Sequence, residues 1–167
     1  IIDEIKVGPR PFEMAVDNKN NVFIATDRNE KVTIINSGTR DIKKLYIPNN
    51  GHIKVDSISQ KIYVSNTEEI YIYSLKDDKI TNKINGFMAV DSIELNSNGS
   101  KLFTLDIFQN EIKIYDTLSL KLIKKYKADT EVLHKKGRPY VLVIRLKYKG
   151  KNQLDLCGDI NLNQNSQ

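Results

Sequence analysis

With a single cysteine, Cys157, the chain can form no internal disulfide, so its fold is not stapled. Cys157 reads as a small hydrophobe rather than a nucleophile. A cysteine-poor chain suits a reducing cytoplasm or a bacterial cell surface equally. Long apolar runs are also missing. The longest hold four or five residues, such as Val141 to Ile144, which excludes a membrane-spanning helix. No GxSxG, Walker, GxGxxG or HExxH pattern occurs, so the familiar nucleophile, phosphate and zinc signatures are absent. Histidine, the usual marker of acid–base or metal chemistry, occurs only as His52 and His134. Neither has the companion ligands that a metal requires, and both read as surface or cap residues.

What is present describes a globular chain of ordinary domain size: 167 residues, 40% hydrophobic and 28% charged. The sequence opens on Ile1 rather than Met, and the expectation is a piece of a longer gene product. Abundant Lys, Asn and Ile point to an AT-rich microbial genome. The net charge of +5 is unevenly spread. Leu120 to Lys151 holds eleven basic residues against two acids, whereas the residues before it hold fifteen bases against seventeen acids. Such a block can meet phosphate or an anionic polymer, but it reads first as a solvated outer strand followed by a lysine-rich loop.

The strongest signal is a repeat. Val22-Phe23-Ile24-Ala25-Thr26 returns as Ile62-Tyr63-Val64-Ser65-Asn66 and again as Leu102-Phe103-Thr104-Leu105-Asp106, forty residues apart each time. A turn precedes each copy, beginning at Asp17, Asp56 and Asn96, and a short apolar segment precedes each turn. Downstream, Lys31 to Ile35 matches Glu69 to Tyr73 and Glu111 to Tyr115; Ile42 to Ile47 then matches Ile80 to Ile84 and Leu122 to Tyr126. Each unit therefore comprises four short runs of near period-two alternation, rich in Ile, Val, Tyr and Phe, separated by Asn, Asp, Ser and Gly turns. No stretch longer than two helical turns shows convincing helical periodicity. Four antiparallel strands in about forty residues is the pattern of a β-propeller blade, a sheet that buries its faces only by stacking on neighbours.

The expected fold is therefore all-β: about three four-stranded antiparallel blades, at 8–50, 51–88 and 89–130, after an outer strand at 1–7. Residues 131–167 read as a lysine-rich loop and a β-hairpin around Lys149 to Asn152, either a degenerate fourth blade or the start of another domain. Three or four blades seldom close alone, so the arc is expected to belong to a larger ring. Paired lysines on the fourth strands (Lys43, Lys44, Lys124, Lys125) fit a solvent-facing outer edge that resists edge-to-edge aggregation.

Pro11-Phe12-Glu13-Met14-Ala15-Val16-Asp17 followed by Asn21-Val22-Phe23-Ile24-Ala25-Thr26 resembles the NHL repeat. Ser97 to Phe103 with Ile114-Tyr115-Asp116 is similar to the YVTN repeat. This resemblance covers about residues 1–128 and implies a bacterial propeller of a group that includes lactonases, lyases and quinoprotein dehydrogenases beside many recognition modules. The lack of tryptophan sets the chain apart from WD-repeat proteins.

Candidate sites follow from topology. Loops that lead into each innermost strand ring the channel mouth, and from these Arg10, His52 and Phe87 are the expected ligand contacts. Lys135, Lys136 and Arg138 form a basic patch that, with Tyr126 and Tyr140, only loosely matches a nucleic-acid surface, and nucleic acid is the less favoured partner. Asp17 and Asp56, replaced by Asn96 in the third unit, read as turn caps. A capping oxygen survives the exchange of Asp for Asn and a functional charge does not. Asp27, Asp106 and Asp116 are placed in the same class.

The sequence therefore reads as a non-catalytic recognition or structural module with no cofactor and no metal. Its expected partner is a protein or polymer, with self-association to complete a ring, on a bacterial cell or spore surface. The alternatives are a fragment of a lactonase-like or lyase-like enzyme and a self-assembling surface-layer protein.

Overall fold

A computed structural model describes residues 4–7, 10–26, 31–48, 51–127, 129–133, 141–148 and 151–157. Three four-stranded antiparallel sheets follow one another along the chain, and each is a simple meander. The first holds β1 (Pro11–Val16), β2 (Val22–Thr26), β3 (Lys31–Ile35) and β4 (Ile42–Tyr46). The second holds β5 (Ile53–Asp56), β6 (Lys61–Ser65), β7 (Glu69–Ser74) and β8 (Lys79–Asn85). The third holds β9 (Val90–Leu95), β10 (Lys101–Asp106), β11 (Glu111–Asp116) and β12 (Leu122–Lys127). A last sheet, of order β13-β14-β15, contains β13 (Asp129–Leu133) and the hairpin of β14 (Val141–Tyr148) with β15 (Lys151–Cys157). β15 begins at Lys151, so Lys151 and Asn152 are strand residues rather than part of the turn expected at Lys149 to Asn152. Among the described residues no helix is long and apolar enough to cross a membrane.

The turns explain why the strands stop where they do. Asp17 Oδ1 accepts the backbone N–H groups of Lys19 and Asn21 at 2.8 Å each. Asp56 Oδ1 accepts those of Ile58 and Ser59, and Asn96 Oδ1 accepts that of Lys101. The acids are thus turn caps, as the exchange with Asn implies. Six hairpins then re-enter the next strand through a left-handed residue: Asn20, Arg40, Gln60, Asp78, Asn110 and Leu120, with φ between 51° and 65°.

Directly paired residues share a sheet face. Ala15, Phe23 and Ile34 therefore look toward the second sheet, while Met14, Ile24 and Thr33 look away. One core lies between the first and second sheets, where Phe23, Val32 and Leu45 meet Ile53, Ile62 and Val64. A second core lies between the second and third, where Tyr63, Ile70 and Ile72 meet Ile93, Leu102 and Tyr115. The second sheet is thus buried on both faces, as a blade flanked by blades must be. Lys43, Lys44, Lys124 and Lys125 on the fourth strands are exposed.

Candidate functional site

The innermost strands β1, β5 and β9 carry a line of alternating charge. Glu13 sits on β1, Lys54 on β5 and Glu94 on β9, at almost the repeat spacing. Lys54 Nζ lies 3.1 Å from Glu13 Oε1 and 3.2 Å from Glu94 Oε2, so one ammonium ties three consecutive sheets. The other oxygen of Glu13 accepts the backbone N–H of Ile53 at 2.9 Å and lies 3.0 Å from His52 Nδ1. An unpaired edge amide is thereby satisfied by a neighbouring sheet's carboxylate. Burial alone would raise the Glu13 pKa, but His52, the Ile53 amide and Lys54 outweigh it and hold the carboxyl below its usual range. Burial likewise opposes the charge on Lys54, and the two carboxylates more than restore it, so its pKa is raised.

A second polar cluster lies between the second and third sheets. Asp106, fully buried at the end of β10, accepts the backbone N–H groups of Met88, Gln109 and Ala89 at 2.9, 3.1 and 3.2 Å. Lys113, only 4% exposed, lies 3.6 Å from this carboxylate. Its ammonium donates to the Gly86 carbonyl at 2.8 Å and to Gln109 Oε1 at 2.6 Å, and stands 4.6 Å above the Phe87 ring. Burial pushes the Asp106 pKa up, yet the three amides and the Lys113 charge prevail and lower it. Asp106 is therefore not the simple turn cap that its strand-end position implies. It clamps the incoming connection to the third sheet and balances a buried cation.

These clusters decide where the expected contact residues stand. His52 is half-buried, its ring edge against Phe12 at 5.4 Å, and its backbone N–H and carbonyl are both bonded to Ser65. Arg10 is exposed, with φ of 51°. Phe87 is not displayed: it is 5% exposed and packs with Tyr115 beneath Lys113, because the apolar core between the sheets claims the larger ring. Its neighbour Met88 takes the surface position instead, at 57% exposure. Lys135, Lys136 and Arg138 lie outside the described residues, as do His134 and Asp27. Glu13, Lys54, Glu94 and the Asp106–Lys113 pair were not singled out by their types. Lys54 and Glu94 share one repeat position, whereas Glu13 lies two residues ahead of its counterpart Ala15, so the spacing alone does not align the three charges.

The end of the sheets where the connections enter β1, β5 and β9 thus presents Phe12, Met88 and Phe108, all more than half exposed, beside ion pairs whose oxygens are largely spoken for. Among the described residues, no group of three or more His, Cys, Asp and Glu is placed to hold a metal ion.

No family model matches the chain, and no curated protein is similar to it in sequence. Solved structures of propeller type are similar in fold. Hydrazine synthase of Kuenenia stuttgartiensis superposes with a TM-score of 0.68 at 12% identity, over 93% of this chain and 51% of that one. A chain of the mitotic checkpoint complex gives 0.65 at 12% identity, over 93% and 59%. Apo AztD from Citrobacter koseri gives 0.58 at 11% identity, over 75% and 38%. At such identities the likeness carries the fold alone. The chain spans about half the length of the first two.

Proposed function

We propose that this protein is a non-catalytic propeller module of the YVTN or NHL type that recognises a protein through the connections at one end of its blades. The observation that carries this reading is the display of Phe12, Met88 and Phe108 at that end, at 56%, 57% and 68% exposure. Large side chains held out of the core, Phe12 on β1 and Met88 and Phe108 in connections between strands, are the material of interface anchors. The polar groups beside them contribute orientation rather than chemistry. Glu13 is occupied by His52, Ile53 and Lys54, so a carboxylate that could have served as a general base is committed to holding sheets together.

A phage-displayed peptide library panned on the immobilised chain tests this. Enriched peptides are expected to carry an aromatic or aliphatic anchor, and to lose at least tenfold in affinity on a Phe12→Ser/Met88→Ser/Phe108→Ser variant of unchanged circular dichroism. Enrichment indifferent to these substitutions would overturn the reading. So would hydrolysis of a lactone panel that is lost in Glu13→Gln.

A further inference from the structure

The first sheet carries an uncovered stripe where its two successors are sealed. Met14 and Val16 lie on the face of β1 that turns away from the second sheet, with exposures of 68% and 54%. The residues in the same place on β5 are Ile53 and Val55, and on β9 they are Ile93 and Leu95. Ile53 and Ile93 are 0% and 1% exposed, each sealed by the preceding sheet. Val55 and Leu95 pack into the same two cores. The same two strand positions thus belong to a core in two sheets and are bare in the first.

The middle of that face is not open. Ile24 and Ile35 are 8% and 7% exposed, and Thr33, 1% exposed, donates its hydroxyl to the Val7 carbonyl at 3.3 Å. Ile42 and Tyr46 on the outer strand β4 share this face and are exposed as well, so the bare positions lie on its two margins, at the innermost and the outermost strand. A neighbour that stacks as the second sheet does on the first would cover the innermost margin. Nearly all of this chain superposes on about half of each of two propeller-type chains, and a second copy would supply an arc of about the length that remains.

We infer that the stripe of Met14 and Val16 is the seat of a second copy of this chain, in a head-to-tail pair that makes one ring. The last sheet of each copy meets the first sheet of the other. Two such contacts related by a half-turn about the ring axis close the assembly, whereas a head-to-tail contact without closure would grow a filament. This inference rests on the fold and not on the ligand reading above. A Met14→Asp chain that still captures the anchored peptides separates the two.

Light scattering on a size-exclusion column, at tens of micromolar chain, is the first test. The wild type is expected at twice the chain mass, and Met14→Asp/Val16→Asp at the single mass with its far-ultraviolet dichroism intact. A wild type of single mass, or a variant that stays double, would overturn the proposal. Because two buried-face acids could also unfold the sheet, maleimide labelling of Met14→Cys in a Cys157→Ser chain gives an independent reading. Labelling is expected to slow at least tenfold from dilute to concentrated protein. A rate independent of concentration overturns the proposal, whether fast, with the stripe open, or slow, with the chain's own last sheet lying over it.

Discussion

Asp106→Ala is expected to destabilise the protein by about 3–5 kcal/mol, the cost of stranding a buried cation and its partner amides. Three backbone N–H groups, of Met88, Ala89 and Gln109, would lose their acceptor. Lys113 would keep the Gly86 carbonyl and the Gln109 amide oxygen, but of its two carboxylate neighbours only Glu111, at 3.8 Å, would remain. Asp106→Asn retains one acceptor oxygen and is expected to cost less, about 2–3 kcal/mol. Urea denaturation followed by circular dichroism measures both, since a shifted midpoint at constant slope reports stability. The pH dependence supplies a separate check. The folded-state pKa of Asp106 is lowered, so its ionisation stabilises the fold above the unfolded value of about 3.9 and that contribution fades as pH falls through the folded value. The gap between wild type and Asp106→Asn should therefore be level from neutral pH to about pH 5 and narrow on further acidification. A gap that stays constant into strong acid would mean that shape, not charge, is what Asp106 supplies.

Gly99→Ala is expected to cost about 3–4 kcal/mol, while Gly86→Ala costs only about 1–2 kcal/mol. Both glycines have left-handed backbones, with φ of +69° and +91°, so each alanine carries the same kind of backbone strain. They differ in what a new methyl would meet. At Gly86 nothing lies within 4 Å, but at Gly99 the methyl would stand 2.8 Å from Asp56 Oδ2 and 2.9 Å from Asp56 Oδ1. That carboxylate cannot swing aside cheaply, because it caps the amides of Ile58 and Ser59 and accepts the Ser59 hydroxyl at 2.5 Å. Gly99 also presents its carbonyl to the Thr117 hydroxyl at 2.6 Å, so the turn is fixed from both sides. Asp56 charge and burial act on Tyr63 as well: burial first, then the carboxylate, push the phenol up to about 12. Equal midpoints for the two alanine variants would show that the approach of Asp56 to Gly99 is relaxed at no cost.

The repeat made the sheets readable, because period two along each run and Asp or Asn at each turn are local signals. Asp17, Asp56 and Asn96 behave as the sequence pattern implies, and so do the exposed lysine pairs. What escaped was whatever depends on which sheet a side chain faces. Position in the sequence puts Phe87 in a loop that leads to an innermost strand, yet it fills the core under Lys113, with Met88 beside it taking the exposed position. Lys113 sits at the position held by Thr33 and Tyr71 in the other sheets, and nothing in its type announces burial at 4% exposure. Glu13, Lys54 and Glu94 are each unremarkable alone and become a chain of ion pairs only after three sheets are stacked. The left-handed turn residues Arg40 and Leu120 were equally hidden, since neither type favours that conformation.

The second sheet, buried on both faces, has a consequence for how the molecule comes apart. Within each of the three sheets all pairing is between strands adjacent in sequence, so each sheet opens or closes nearly as a local unit whose fate is tied to its flanking neighbours. Among the described residues of one copy, the first sheet shares a core with one neighbouring sheet, whereas β5 to β8 share cores with two. Loss of structure therefore starts from the flanks and travels inward. The amides of Tyr63, Val64, Ile70 and Ile72 should be the last to exchange with deuterium, at rates set by global rather than partial opening.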